Sequence, residues 1–70
     1  ELVAKFGKVN ASRINNSEYW IGMTKEMAEL SLGKPEKINR TVTEESVSEQ
    51  WVYPGVYLYF KNGKVVSFQD

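Results

Sequence analysis

The segment EQWVYPGVYLYFKNGKVVSFQ, Glu49–Gln69, joins three apolar runs through two turn dipeptides. Asn62-Gly63 is the strongest short hairpin signal in the chain, because both residues tolerate positive φ. Pro54-Gly55 suits a type II turn, since proline fixes the first central φ and glycine takes the second. The segment therefore predicts three antiparallel strands joined by tight turns.

The alternation along these strands predicts two different sheet faces. With a two-residue loop at Asn62-Gly63, one face is aliphatic with a phenylalanine, and the other is rich in tyrosine. Two short helices can cover one face only, and we expect them on the first, which has no hydroxyl groups to satisfy. Tyrosine tolerates a half-wet surface, so the second face is predicted to be the outer one. The first face carries Leu58, Phe60 and Val65, and the second carries Tyr57, Tyr59, Val66 and Phe68.

The position of Trp51 depends on the length of the preceding turn. A two-residue Pro-Gly loop pairs Trp51 with Leu58 on the inner face, whereas a three-residue loop pairs it with Tyr59 on the outer face. In one interpretation Trp51 belongs to the core and the tyrosines form an ordinary half-buried surface. In the other, the outer face is a binding patch, because so large an aromatic surface on a monomer marks a binding site. That candidate patch comprises Trp51, Tyr53, Tyr57, Tyr59 and Phe68.

The sequence before this segment predicts two helices and one more strand. Thr24 is a good N-cap, and Gly33 with Pro35 ends the helix predicted over 24–32. A weaker apolar periodicity predicts a helix over about 2–16. The β-branched run KINRTVT at 37–43 predicts a strand. Residues 1–70 are thus expected to form one α+β domain, with two N-terminal helices packed on one face of a four-stranded antiparallel meander.

The composition excludes most enzyme and metal chemistry. The chain has no histidine and no cysteine, so nucleophilic triads and nearly all zinc sites are excluded, and we expect no metal and no cofactor. Four glutamates are candidates for acid–base work by type, but none lies in an apolar run that would raise its pKa. Those candidates are Glu36, Glu44, Glu45 and Glu49.

The charge balance does not favour nucleic acid as a partner. Nine basic and nine acidic residues cancel, which removes the electrostatic argument for a polyanion. Lys34, Lys37 and Arg40 form a local basic cluster without interleaved aromatic residues. We interpret this cluster as a solvated edge whose charges discourage edge-to-edge pairing.

Neither a membrane span nor a targeting signal is predicted. No apolar run approaches the roughly 18 residues that a spanning helix needs, and no signal pattern opens the chain. The sequence starts at Glu1 rather than at methionine, so we expect an excised or processed piece of a longer chain. Any membrane attachment is then expected only through an anchor that is not in this sequence.

The stretch IGMTKEMAELSLGKP, at 21–35, resembles the signature of the SmpA/OmlA family, the BamE-like small lipoprotein domains. The matching residues are Gly22, Met23, Thr24, Leu32, Gly33 and Pro35. The resemblance extends over about 15–70 and implies a fold similar to that of β-lactamase-inhibitor proteins. It also implies a non-catalytic role in a bacterial envelope. The lipid-attachment cysteine is missing, and the strand at 37–43 is not usual in the assembly-factor members, so the family's specific partner is not carried over.

Together these observations predict a non-enzymatic protein-interaction or scaffold module of a bacterial envelope or secreted protein. It would be extracytoplasmic and bind a protein through the outer sheet face or a sheet edge, and self-association is a further possibility. The alternative is a small-molecule module that stacks a glycan or lipid headgroup on the same aromatic face.

Overall fold

The computed structural model describes residues 2–70 and confirms the α+β prediction. Two helices are followed by a four-stranded antiparallel sheet in the order β1-β2-β3-β4. The face that packs against α2 is called the inner face, and the opposite one the outer face. The elements are α1 (Leu2–Asn15), α2 (Lys25–Leu32), β1 (Lys37–Val42), β2 (Val47–Tyr53), β3 (Val56–Lys61) and β4 (Lys64–Gln69).

Helix α2 begins and ends where the sequence predicts. The Thr24 hydroxyl accepts a hydrogen bond from the Met27 N–H at 3.2 Å, which satisfies one of the free donors of the first turn. At the other end Gly33 has φ 83° and ψ −168°, and its N–H donates to the Glu29 carbonyl. The φ is positive as predicted, but this ψ is extended rather than left-handed helical, so the chain turns away immediately toward β1.

Helix α1 is interrupted at Gly7, which the single predicted helix over 2–16 did not include. Gly7 has φ 84° and ψ 167°, so two helical pieces meet there at a kink. Glycine adopts this backbone without the steric cost that a Cβ would add. The second piece buries Ala11 and Ile14, and α1 packs on α2.

Both predicted tight turns are present with two-residue loops. Lys61 pairs with Lys64 across Asn62-Gly63, and both loop residues have positive φ. Tyr53 pairs with Val56 across the Pro-Gly loop. These turns fix the register of the three C-terminal strands.

The Pro-Gly register places Trp51 and Tyr53 on the inner face. This confirms the two-residue-loop alternative for Trp51, and the outer-patch alternative is wrong for both residues. Trp51 lies opposite Leu58 and is only 2% exposed, and Tyr53 is 6% exposed. The physical reason is the period of two along a strand, which puts both side chains on the helix side once the loop has two residues. Trp51 stacks on Phe60 with ring centroids 4.6 Å apart.

Phe68 is also not on the outer face, because a β-bulge shifts the register between β3 and β4. Phe60 pairs with Val65, but Tyr59 pairs with Ser67, so Val66 is an extra residue on β4. Residues after a bulge point to the opposite face from the one that simple alternation predicts. Phe68 therefore lies opposite Leu58 on the inner face, where its ring contacts that of Tyr19 edge-to-face at 5.0 Å.

One hydrophobic core lies between α2 and the centre of the sheet. Tyr19, Trp20, Met27 and Leu32 border it as partly buried neighbours. The core lies over β2 and β3 and reaches only Val65 on β4, so the inner side of β1 extends beyond it. Its buried members are Met23, Ala28, Trp51, Tyr53, Val56, Leu58, Phe60 and Val65.

Candidate functional site

Only two of the five predicted binding residues lie on the outer face. Tyr57 is 41% exposed, and Tyr59 is half-buried beside it on β3. Trp51, Tyr53 and Phe68 are on the inner face, as described above. The outer face is therefore less aromatic than the sequence predicts.

Polar side chains connect all four strands across the outer face. The amide nitrogen of Asn39 donates to the Gln50 side-chain oxygen at 2.9 Å. The Gln50 amide donates to the Tyr59 hydroxyl at 3.3 Å, and that hydroxyl donates to the Gln69 side-chain oxygen at 3.4 Å. We call Asn39, Gln50, Tyr59 and Gln69 the outer-face ladder. It offers amide and hydroxyl groups beside an aromatic ring.

A depression of about 360 Å³ lies over this ladder. Asn39, Gln50 and Tyr59 line it together with Val66, the extra residue of the bulge. Amide groups next to an aromatic ring can hydrogen-bond and stack on a polar ring-shaped ligand. The sequence predicts Tyr59 and Val66 on this face, but it did not predict the depression, because the depression also depends on the pairing of β1 with β2.

The two edges of the sheet differ. Along β4, the Gly22 N–H donates to the Val65 carbonyl at 2.8 Å, and the Val65 N–H donates to the Met23 carbonyl at 2.9 Å. Thr24 also forms a bridge with Lys64. Within residues 2–70 no comparable segment runs along the outer side of β1. Strand β4 is covered only at Lys64 and Val65, and its residues after Val65 are exposed as well. All six residues of β1 are exposed, and β1 is open along its whole length; we call it the open edge.

The backbone groups at this open edge follow from the hydrogen-bond alternation of antiparallel strands. The Thr43 N–H donates to the Ser46 carbonyl at 2.8 Å, so this pair is hydrogen-bonded. Every second pair along the ladder then shares its bonds with β2. The residues between them direct N–H and C=O away from β2. At the open edge these are Ile38, Arg40 and Val42.

The hydrogen bonds between β2 and β3 lead independently to the same edge-facing residues in β1. The Asn62 N–H donates to the Val47 carbonyl at 2.8 Å, so the odd-numbered residues of β2 bond to β3. The even-numbered residues of β2 are then left to bond β1, and they pair with its odd-numbered residues. The even-numbered residues of β1 consequently face the open edge.

A buried carboxylate lies on the inner face next to β1. Glu49 is 8% exposed, and its carboxylate accepts from the Trp51 indole N–H at 2.7 Å and from Lys25 Nζ at 2.6 Å. Arg40 Nε lies 3.7 Å from the same carboxylate. This Glu49 cluster (Lys25, Arg40, Glu49 and Trp51) joins α2, β1 and β2. This cluster was not predicted from the sequence, although Glu49 shares the alternation of Trp51 and Tyr53.

The hydrogen bonds of Glu49 favour its ionised form. The bond from Lys25 contributes most, followed by that from Trp51, and together they hold the pKa of Glu49 below its ordinary value despite burial. A general acid needs the opposite shift. The other perturbed core group is Tyr53, whose hydroxyl donates to the Gly33 carbonyl at 3.0 Å. Burial, with a smaller contribution from Glu29, raises the pKa of Tyr53 to about 12.

No group of three or more His, Cys, Asp or Glu side chains gathers at a metal-binding distance within residues 2–70. In the same part of the chain, neither helix has the length and apolar character required to cross a membrane.

Comparisons with protein-family models, with curated proteins and with solved structures found no match to this chain. The resemblance to the SmpA/OmlA family stays a prediction from the residues at 21–35.

Proposed function

We propose that this chain is a non-enzymatic interaction module that binds a partner protein through the open edge of β1. The observation that carries the proposal is the asymmetry of the two sheet edges. Residues 22–24 bond to Lys64 and Val65 at the start of β4, whereas within residues 2–70 no segment bonds to the outer side of β1 at any position. An extended segment can add to such an edge through main-chain hydrogen bonds.

The outer face supports this choice by being less suited to a protein partner. With Trp51, Tyr53 and Phe68 on the other side, the remaining surface is mostly polar. Its amide and hydroxyl groups already bond one another in the outer-face ladder. Displacing these bonds would oppose the gain from burying the two tyrosines.

The resemblance to BamE-like domains supplies the proposed setting. It supports an extracytoplasmic location in a bacterial envelope or secreted protein, and a scaffold role without catalysis. The absence of histidine and cysteine from the sequence is consistent with this role, since the commonest nucleophilic mechanisms need these residues.

A capture experiment with two matched variants tests the proposal. Val42→Pro removes an edge-facing N–H, and proline is tolerated at such positions of edge strands. The double variant Tyr57→Ala/Tyr59→Ala removes the outer aromatic surface instead. We expect proteins captured by the immobilised chain to be lost with Val42→Pro and kept with the double variant. Thermal midpoints of all three proteins would show that each remains folded.

The outer-face depression favours a second candidate function, the binding of a glycan or lipid headgroup. Tyr59 and the amides of Asn39 and Gln50 form a polar platform with one aromatic ring. If only the tyrosine variant lost capture, the edge proposal would be wrong and the outer face would be the binding surface. Titration with simple oligosaccharides would then shift the NMR signals of the outer-face ladder.

A further inference from the structure

We propose that β1 receives an extended acidic segment, with an apolar-x-acidic-x-apolar pattern, and that Arg40 recognises its central carboxylate. This inference rests on the proposed function and names the chemistry of the partner.

The side chains at the open edge alternate between apolar and basic on the inner face. Ile38 and Val42 are 47% and 63% exposed, and Arg40 lies between them. These three residues also direct their N–H and C=O groups to the edge. A strand added there would place one face of its own side chains next to these three.

The chain itself shows which sequence pattern fits beside β1. Strand β2 already lies on the other side of the same residues, with an apolar, an acidic and an aromatic residue in alternation. A strand on the open side meets the same three side chains and requires the same alternation. The existing pairs are Val42 with Val47, Arg40 with Glu49, and Ile38 with Trp51.

Arg40 retains capacity for a second carboxylate. Its Nε is 3.7 Å from Glu49, whereas Lys25 Nζ approaches the same carboxylate to 2.6 Å. The Arg40 side chain is 61% exposed. Within residues 2–70 its two terminal nitrogens donate no hydrogen bond. A guanidinium is a planar fork that binds a carboxylate through two parallel hydrogen bonds, and the open edge is where such a carboxylate would lie.

A second copy of the chain fits this edge less well. In the antiparallel register with the greatest overlap, Ile38 faces Val42 of the second copy, and the two Arg40 residues face each other. Like charges directly opposite destabilise a strand pair. A shift by two residues in either direction, which keeps the edge-facing residues paired, places Arg40 opposite Ile38 or Val42. Only a shorter overlap, centred on Ile38, brings Glu36 opposite Arg40, and Glu36 lies before β1.

Peptide titration of the whole chain followed by NMR tests the inference. The probe is the capped peptide Thr-Val-Ser-Glu-Thr-Val-Thr, and the control peptide carries lysine in place of glutamate. We expect the acidic peptide to slow hydrogen exchange at the amides of Ile38, Arg40 and Val42. The lysine peptide should bind roughly tenfold more weakly, because one charge-assisted contact is lost.

Two variants separate charge recognition from backbone docking. Arg40→Gln should remove most of the preference between the two peptides, whereas Lys8→Gln, which neutralises an exposed lysine on α1, should leave it unchanged. Val42→Pro should weaken both peptides alike, because it removes a backbone donor and no charge.

Three results would overturn the inference. Equal binding of both peptides to the wild-type chain would leave edge docking intact but remove the role of Arg40. No protection by either peptide, with capture still sensitive to Val42→Pro, would mean that the edge takes a different kind of segment. If the same amides became protected without peptide as protein concentration rose, and sedimentation showed a dimer, a second copy would be the occupant.

Discussion

Replacing Glu49 by glutamine isolates the charge of the one carboxylate in the core. Glutamine has nearly the same shape, and its side-chain oxygen can still accept the Trp51 indole N–H, now at 2.7 Å from Glu49. The change therefore removes the negative charge that faces Lys25 at 2.6 Å and places an amide NH2 where the second carboxylate oxygen was. Any loss of stability then reports on the contact between this carboxylate and Lys25 rather than on packing.

The expected loss follows from the burial of the two partners. A hydrogen bond to a charged group contributes about 1.5–3 kcal/mol to stability. Glu49 is 8% exposed but Lys25 is 40% exposed, so the ammonium group of the variant regains much of its hydration. We therefore expect the lower part of this range, about 1.5–2 kcal/mol. For a domain of this size that corresponds to a fall in Tm of roughly 6–16 °C.

The pH dependence provides the distinguishing signature. The folded chain holds the pKa of Glu49 below its ordinary value, so the native state binds fewer protons there than the unfolded state does. Such a group stabilises the fold above its unfolded pKa, and this contribution is lost as the pH falls through the folded pKa. The stability difference between wild type and Glu49→Gln should be complete at pH 7 and shrink as acid protonates Glu49.

Urea unfolding followed by far-UV circular dichroism, from pH 7 down to about pH 3, would measure this difference. Glu26→Gln is the matched control, because the Lys5–Glu26 pair is more than half exposed on both sides. Exposed pairs contribute about 0–1 kcal/mol, so this control should change little. The reasoning would be refuted if Glu49→Gln cost no more than Glu26→Gln, or if its cost were independent of pH.

Three further changes test the ends of α2 by urea unfolding. Thr24→Ala should cost about 1 kcal/mol through the lost N-cap, and an unchanged midpoint would mean that the bond to Met27 is not stabilising. Gly33→Ala should cost about 1–3 kcal/mol. An added Cβ meets no atom within 4 Å at this positive φ, so a loss there reports backbone strain, and none would contradict the assigned conformation. Tyr53→Phe should cost about 1 kcal/mol, because the Gly33 carbonyl loses its hydroxyl donor; equal stability would indicate that water replaces it.

The sequence predicts those parts of the fold whose signals are local. Asn62-Gly63 and Pro54-Gly55 define two hairpins because each dipeptide favours the required backbone by itself. Thr24 and Gly33 bound α2 for the same reason. From these turns the order of β2, β3 and β4 follows, and so does their pairing up to the bulge at Val66.

The candidate sites were harder to predict because they depend on residues that are distant in sequence. From the sequence, Glu49 is expected to be a solvated glutamate. Its contacts with Lys25 of α2 and Arg40 of β1 exist only in the folded chain. The sheet face that Trp51 occupies depends on whether the loop after β2 has two or three residues. The dipeptide Pro54-Gly55 alone does not determine that length. That β1 is the open edge follows only from the position of residues 22–24, which bond to β4 at the other edge of the sheet.

The bulge at Val66 shows that the number of residues in a strand, and not only their types, determines which sheet face each side chain occupies. Val66 has the same side chain as its neighbour Val65. As one additional position in the strand, however, it determines which face of the sheet the side chains of the following residues occupy. Phe68 reaches Tyr19 for this reason, and the hydroxyl of Tyr19 then donates to Asp70 at 2.7 Å. The end of the chain is thereby attached to the segment that connects the two helices. Deleting Val66 would therefore change the orientation of more side chains than most single substitutions would.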